Sequence, residues 1–380
     1  MSISDESVQE FKRLYKEKSG EDISDEKARE MGENLVRFFS LLQDMHIKEL
    51  KIEEKLKSSP NGFDLTEVGS GQYTCMICGR QISGIEGWRD KYGNKCLVCQ
   101  KAVDDKLIEG WILEDIDNWY KMWEIKDKLD LHHATIRKMV REEKLKTRVV
   151  PGKDGKPFEY LFIAEENYSI LPPKGFEKRN MLLMSAGEFF TEKAPTLYKA
   201  DFSKLKIAYI NTATKKVPDD SYSKKQIKRM KELNWNFKII DIAKYSESKL
   251  CEKLNEIDII YVEGGNTFYL LDQIRKKKFD QLIKSKLNKG ALYAGVSAGS
   301  YVVCPTIEMA LWGDSNDGLD RCGITNFRGM SLVPFVIKVH MTPKIKKIIQ
   351  NDIKKSKFNV KLLTDKQALL IHGGEVHLVE

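Results

Sequence analysis

The chain has 380 residues, 41% of them hydrophobic and 32% charged, and a formal net charge of +8. Single cores rarely grow past about 250 to 300 residues, so more than one domain is expected. No run of about 18 apolar residues occurs, which excludes a membrane-spanning helix, and the polar first ten residues lack the apolar stretch of a signal peptide, so the sequence reads as cytoplasmic.

Residues 1–60 read as a helical interaction region. Val8, Phe11, Leu14 and Tyr15 recur at helical spacing, as do Leu35, Phe38, Phe39, Leu41 and Leu42. Ser24 can cap the second helix, although Lys27 stands where a capping box would want Glu. No chemistry is expected here; the pair is read as an interaction or dimerisation unit. Ser58-Ser59-Pro60-Asn61-Gly62 then breaks the pattern.

Residues 68–105 hold Cys75-Met76-Ile77-Cys78 and Cys96-Leu97-Val98-Cys99 among glycines, 17 residues apart. That spacing is the one a zinc ribbon uses, with each pair chelating from one tight turn. Four thiolates close the tetrahedron, so the expected zinc is structural. Seven cysteines without a signal peptide argue against a disulfide scaffold.

Residues 110–170 read as helix, short turn, helix and hairpin. Trp123–Leu129 and Ala134–Glu142 flank His132-His133, and a tip at Pro151–Lys156 follows. This resembles the winged helix-turn-helix of MerR-type and excisionase-type DNA-binding proteins. Residues 132–156 carry eight Lys or Arg against three Asp or Glu, net +5 (8 − 3). Arg137, Lys138 and Arg141 share a helical face that could enter a major groove, with Lys144, Lys146 and Arg148 on phosphates. The competing reading is a solvated face on a domain that binds protein.

After Leu171-Pro172-Pro173-Lys174-Gly175 the pattern alternates strand and helix to the end of the sequence. Apolar runs at Lys206–Ile210, Phe237–Ile242, Ile257–Val262, Ala291–Val296 and Phe335–Val339, with helical stretches between most of them, imply an α/β fold with a parallel sheet covered on both faces. Gln367–His372 and Glu375–Val379 around Gly373-Gly374 read as a closing hairpin.

Gly295-Val296-Ser297-Ala298-Gly299 directly follows one of these strands, which is the context of a nucleophile elbow. Glu263-Gly264-Gly265-Asn266-Thr267 follows another, and paired glycines let backbone N–H groups face a ligand. Gly264-Gly265-Asn266-Thr267-Phe268-Tyr269-Leu270-Leu271 and Gly290–Ser300, in this order, resemble the peptidase E (dipeptidase E) family of serine peptidases, over roughly residues 180–380.

The resemblance implies a class I glutamine amidotransferase-like hydrolase domain over 178–380. It also implies a Ser-His-Asp triad that hydrolyses small peptides through an acyl-enzyme, with no cofactor for catalysis. Ser297 would be the nucleophile and His340 the general base, although Val339 precedes it where the family has Pro. The acid would be Asp314, with Asp317 as fallback, and the backbone N–H groups of Gly265 and Ala298 would form the oxyanion hole. Asn266 and Thr267 are expected to bind substrate. Two other whole-chain readings stay open: a transcriptional regulator whose peptidase-like domain senses a peptide, and a peptidase with a protein-binding adaptor half.

Overall fold

The computed structural model describes residues 3–69, 71–83, 86–314 and 320–380. The chain divides into two compact units, one of residues 1–114 and 148–160, the other of residues 115–147 and 161–380, so the segment 110–170 is shared between them.

The first unit opens with α1 (Asp5–Ser19) and the 34-residue α2 (Asp25–Ser58). Ser24 caps α2, accepting from the Lys27 amide at 3.2 Å, so the cap forms without a capping box. Short strands follow at Phe63–Asp64 (β1), Gln72–Thr74 (β2), Gln81–Ser83 (β3), Gly87–Asp90 (β4) and Gly93–Cys96 (β5). They make a three-stranded sheet in the order β1-β4-β5 and a separate β2-β3 hairpin. Helix α3 (Leu97–Asp104) begins inside the second cysteine pair, and α4 (Gly110–Glu114) follows.

The second unit begins with β6 (Trp119–Lys121), α5 (Met122–Leu129) and α6 (His133–Arg141). Ile125 and Ile136 are buried, while Arg137, Lys138 and Arg141 are exposed. The two expected helices are thus present, each starting one residue earlier than its pattern suggested. A hairpin of β7 (Arg148–Pro151) and β8 (Pro157–Ile163) turns at Gly152, whose amide donates to the Lys156 carbonyl at 2.7 Å.

The hydrolase-like region comprises β9 (Asn180–Met184), α7 (Glu188–Tyr198), β10 (Lys206–Ile210), α8 (Ser221–Glu232), β11 (Asn236–Ile240), α9 (Glu247–Lys253), β12 (Ile259–Val262), α10 (Thr267–Lys276), α11 (Phe279–Asn288), β13 (Leu292–Val296) and α12 (Ala298–Tyr301). It closes with β14 (Val336–Lys338), α13 (Pro343–Ile348), α14 (Gln350–Lys355), β15 (Val360–Leu362), β16 (Ala368–His372) and β17 (Glu375–Val379). Seven strands form one sheet in the order β11-β10-β12-β13-β9-β16-β17; the first five are parallel, and the closing hairpin adds two antiparallel strands.

Alternation along each strand sends side chains to two apolar layers. Met181 and Leu183 enter one cluster with Ile210, Val262 and Tyr293; Leu182 and Met184 enter the other with Tyr209, Tyr261 and Val296. Burial on both faces is why these strands read as continuous apolar runs. One strand lies elsewhere than expected. The run around Val336–Lys338 does not join the large sheet but pairs in parallel with β15.

Candidate active site

The parallel strands carry their chemistry at one edge, where open α/β sheets bind ligands. Val262 of β12 lies opposite Gly295 of β13, and Val296 lies opposite Met184 of β9. Glu263-Gly264-Gly265, Ser297 and Ser185 therefore leave three neighbouring strands at the same level.

Ser297 has φ 47° and ψ −105°, a strained conformation for a residue with a side chain. The flanking glycines explain how the elbow closes. A Cβ on Gly299 would stand 2.2 Å from the Val262 carbonyl oxygen, and one on Gly295 would stand 2.6 Å from the Gly299 oxygen. Hydrogen bonds hold the bend: the Ser297 amide donates to the Met184 carbonyl at 3.0 Å, and Ser300 Oγ donates to the Met184 and Gly295 carbonyls at 2.9 and 2.8 Å.

His340 reaches this serine from the β14–β15 pair. Register sets Lys338 opposite Leu362, and the Leu363 and Met341 amides extend the pairing by donating to the Lys338 and Leu363 carbonyls at 2.9 and 3.0 Å. His340 and Asp365 thus emerge side by side. His340 Nε2 lies 3.1 Å from Ser297 Oγ, and Nδ1 lies 2.6 Å from Asp365 Oδ1. Ser185 braces both partners. Its hydroxyl donates to Asp365 at 2.6 Å and accepts from the His340 amide at 2.8 Å. Burial works to raise the Asp365 carboxyl, but hydrogen bonds from Ser185 and His340, with the imidazole's charge, outweigh it and hold the group below its ordinary range.

The carboxylate beside His340 is therefore Asp365, where the sequence pointed to Asp314. Of Asp314 only the backbone is described, at the end of the 3₁₀ segment Glu308–Asp314, and Asp317 lies outside the described residues. That segment is anchored from below. The buried Lys338 ammonium donates to the Met309 and Trp312 carbonyls at 2.9 and 3.1 Å, and burial pulls its pKa down to about 8.

The Gly264-Gly265 loop is fixed by a buried network. Glu263 accepts from the Gly264 amide at 2.7 Å and from the Tyr209 hydroxyl at 2.5 Å; Tyr222 donates to the Gly264 carbonyl at 3.2 Å. Burial pushes the Glu263 carboxyl above its ordinary value against the pull of these bonds. The Gly264 amide is consumed within the loop, and the turn continues through Gly265. Gly265 adopts φ 135°, and a Cβ there would collide with the Ala213 carbonyl oxygen at 2.5 Å, so only glycine suits the turn.

Asn266 and Thr267 are buried instead of facing a ligand. The Asn266 side chain is occupied as the N-cap of α10, accepting from the Tyr269 amide at 2.9 Å while donating to the Asp320 carbonyl at 2.8 Å. These bonds give the Asn266 side chain a structural role at the start of α10.

A family model for peptidase family S51 matches residues 181–379, about half of the chain. The chain belongs to peptidase family S51. An uncharacterized peptidase of Listeria monocytogenes is 29% identical over 204 residues, covering 52% of this chain and 97% of that protein. A peptidase E of Nostoc is 34% identical over 137 residues, covering 36% of this chain and 52% of that protein. The crystal structure of a putative peptidase E protein from Listeria monocytogenes superposes with a TM-score of 0.47 at 27% identity, covering 53% of this chain and 98% of that one. The C-terminal region is thus a serine-type peptidase domain, built on a mostly parallel sheet.

In the first unit, Cys75, Cys78, Cys96 and Cys99 converge, with their sulfurs within 4.8 Å of one another. Backbone bonds shape the first knuckle: the Gly79 amide donates to the Cys75 carbonyl at 2.8 Å, and the Met76 amide to the Asn94 carbonyl at 2.8 Å. Sulfurs around a tetrahedral zinc at about 2.3 Å would stand just under 4 Å apart, so this donor set suits such an ion. Among the DNA-contact candidates, Arg148 is engaged elsewhere. Its guanidinium forms a bidentate pair with Glu109 at 2.9 and 3.0 Å. Lys144 pairs with Glu142 at 2.8 Å, whereas Arg137 and Arg141 project from α6. Among the described residues no helix is long and apolar enough to cross a membrane.

Proposed function

We propose that the C-terminal region hydrolyses short peptides through an acyl-enzyme, with Ser297 as nucleophile, His340 as base and Asp365 as the orienting acid. The observation that carries this is the continuous chain of contacts from Ser297 Oγ through the imidazole to Asp365. Asp365 accepts the Nδ1 proton, which leaves Nε2 free to take the proton from Ser297 as Oγ attacks the scissile carbonyl. The oxyanion forms beside the Gly265 and Ala298 N–H groups, and the new imidazolium protonates the leaving amine. Water then attacks the ester by the same route in reverse. Reaction with a fluorophosphonate probe followed by mass mapping tests this. Labelling should fall on Ser297 and vanish in Ser297→Ala; labelling that persists in that variant refutes the nucleophile.

For the other unit, the reading is a structural zinc held by the four cysteines. It supplies fold, not reactivity, because four protein ligands leave no open position. Within the second unit, ahead of the peptidase region, the exposed Arg137, Lys138 and Arg141 of α6 support DNA contact by this helix. A peptide-sensing regulator is disfavoured by a catalytic constellation with every member in bonding reach.

A further inference from the structure

Helix α2 is covered at its two ends and bare between them. Helix α1 lies along its first two turns, where Lys12 pairs with Asp25 at 2.5 Å, Arg29 with Asp5, and Ile3 packs over Gly32. Near the other end Ile52 is buried, and Lys55 pairs with Glu67 at 2.6 Å. Between these supports stand Leu35 (46% exposed), Phe38 (57%), Phe39 (59%), Leu41 (61%), Leu42 (43%) and Met45 (55%). At about half exposure, six such large side chains reach the upper end of the roughly 300–600 Å² patch that a monomer leaves exposed and approach the roughly 800 Å² each partner gives to a stable interface.

Their spacing is ordered. With Leu35 and Leu42 at heptad position a, Phe38 and Met45 fall at d, Phe39 at e and Leu41 at g. Arg37, Ser40, Gln43 and Asp44 fall at the outer positions; Ile47 and Leu50 lie off the seam. The pattern is also its own mirror about Ser40. In an antiparallel pair, where a packs against d of the other helix, Leu35 meets Met45 of a second copy and Phe38 meets its Leu42. Phe39 then meets Phe39 and Leu41 meets Leu41 across the two-fold. All six exposed residues are consumed by one isologous contact, as a two-fold interface requires.

We infer that α2 pairs antiparallel with α2 of a second copy of this chain, centred on Ser40. The surroundings argue against a lipid surface as occupant. Glu33, Arg37 and Asp44 on the face away from the stripe are of mixed sign, whereas a membrane-lying helix has a polar face rich in lysine and arginine. The inference does not rest on the peptidase chemistry, since its residues lie in the other unit.

Sedimentation equilibrium on the full chain tests it. The parent protein should be a dimer at micromolar concentration, and the double variant Phe38→Glu with Leu42→Glu should weaken association by more than about 100-fold. Its helical circular dichroism and fluorophosphonate labelling should stay at parent levels, which separates dissociation from misfolding and from failure of the peptidase reading. For register, Leu35→Cys chains mixed with Met45→Cys chains should form a disulfide above the parent background. A parent monomer at about 50 µM, association only with vesicles, or a dimer unmoved by the double variant would overturn the inference. Faster cross-linking of Leu35→Cys to itself would overturn the antiparallel register.

Discussion

The two units solve the problem of stability by different means. In the peptidase region, seven strands bury apolar side chains in two continuous layers, one on each face of the sheet. Polar chemistry is confined to the strand ends, where Ser185, Glu263, Ser297, His340 and Asp365 emerge. In the first unit, β1 to β5 are only two to four residues long and cannot build such layers; Phe63, Leu65, Ile77 and Ile82 are buried there, as are three of the four cysteines. A segment of that size needs a staple. A catalytic site can tolerate Ser297 at a strained φ because the sheet beneath it over-determines the bend, whereas the cysteine unit has no such reserve.

The sharpest way to test the first half of that comparison is to remove the acid. Asp365→Asn should lower kcat by about 10⁴-fold, because the wrong imidazole tautomer then faces Ser297. Asp314→Asn should stay within about threefold, since Asp365 already occupies the imidazole Nδ1. Steady-state turnover of a dipeptide amide checks both, and the reverse ranking would return the acid to the loop after α12. Ser185→Ala should fall between them, because it loosens Asp365 without removing it.

That contrast also marks where the sequence stops being informative. The elbow was legible because steric crowding leaves a local signature: glycines at 295 and 299 are imposed by backbone atoms two angstroms away. The paired cysteines were legible for a similar reason, since chelation from one turn fixes the spacing. Asp365 has no such signature. It is 25 residues from its histidine and comes into reach only because β15 pairs with β14, a pairing that an apolar run alone does not announce. The signal that could have found it is positional: a carboxylate two or three residues past a short strand, at the edge where the other reactive groups emerge. Asn266 is ambiguous for another reason. Its side chain type suits both a ligand contact and an N-cap, and only burial separates the two.

The second half of the comparison is tested by withdrawing the proposed zinc. Purified chain should carry one zinc, and a strong chelator or Cys75→Ser should unfold the cysteine unit, seen as loss of its melting transition. Fluorophosphonate labelling of Ser297 should remain within about twofold, because the layered sheet owes nothing to the ion. A preparation that folds fully without metal would remove the staple.

A smaller effect should come from Glu263, the buried carboxyl under the oxyanion loop. Its folded pKa is raised, so the folded state holds the proton more tightly than the unfolded chain does. The stability it contributes is complete below the ordinary glutamate value and is lost as pH rises through the raised folded value. Glu263→Gln should flatten that decline in a denaturant titration across pH while keeping an acceptor for the Gly264 amide. Glu263→Ala should cost about 1–3 kcal/mol, because it leaves the Gly264 amide unpaired and the Tyr209 hydroxyl with Ser223 alone. An unchanged pH slope in the Gln variant would show that Glu263 does not titrate in this range.

The finest test separates the arginines that face solvent from the one that does not. Arg137→Ala and Arg141→Ala should each weaken DNA binding modestly and reduce the slope of log affinity against log salt by about 1, the signature of one lost phosphate contact. Arg148 sits in the same basic stretch but is clamped by Glu109, whose carboxyl is held low by that hydrogen bond. Arg148→Ala should therefore lower the melting temperature of the cysteine unit, by leaving Glu109 without its partner, and leave the salt slope unchanged. If all three arginines changed the slope equally, net charge alone would govern the contact. If none did, α6 would be a solvated face and the basic stretch would have no nucleic acid to serve.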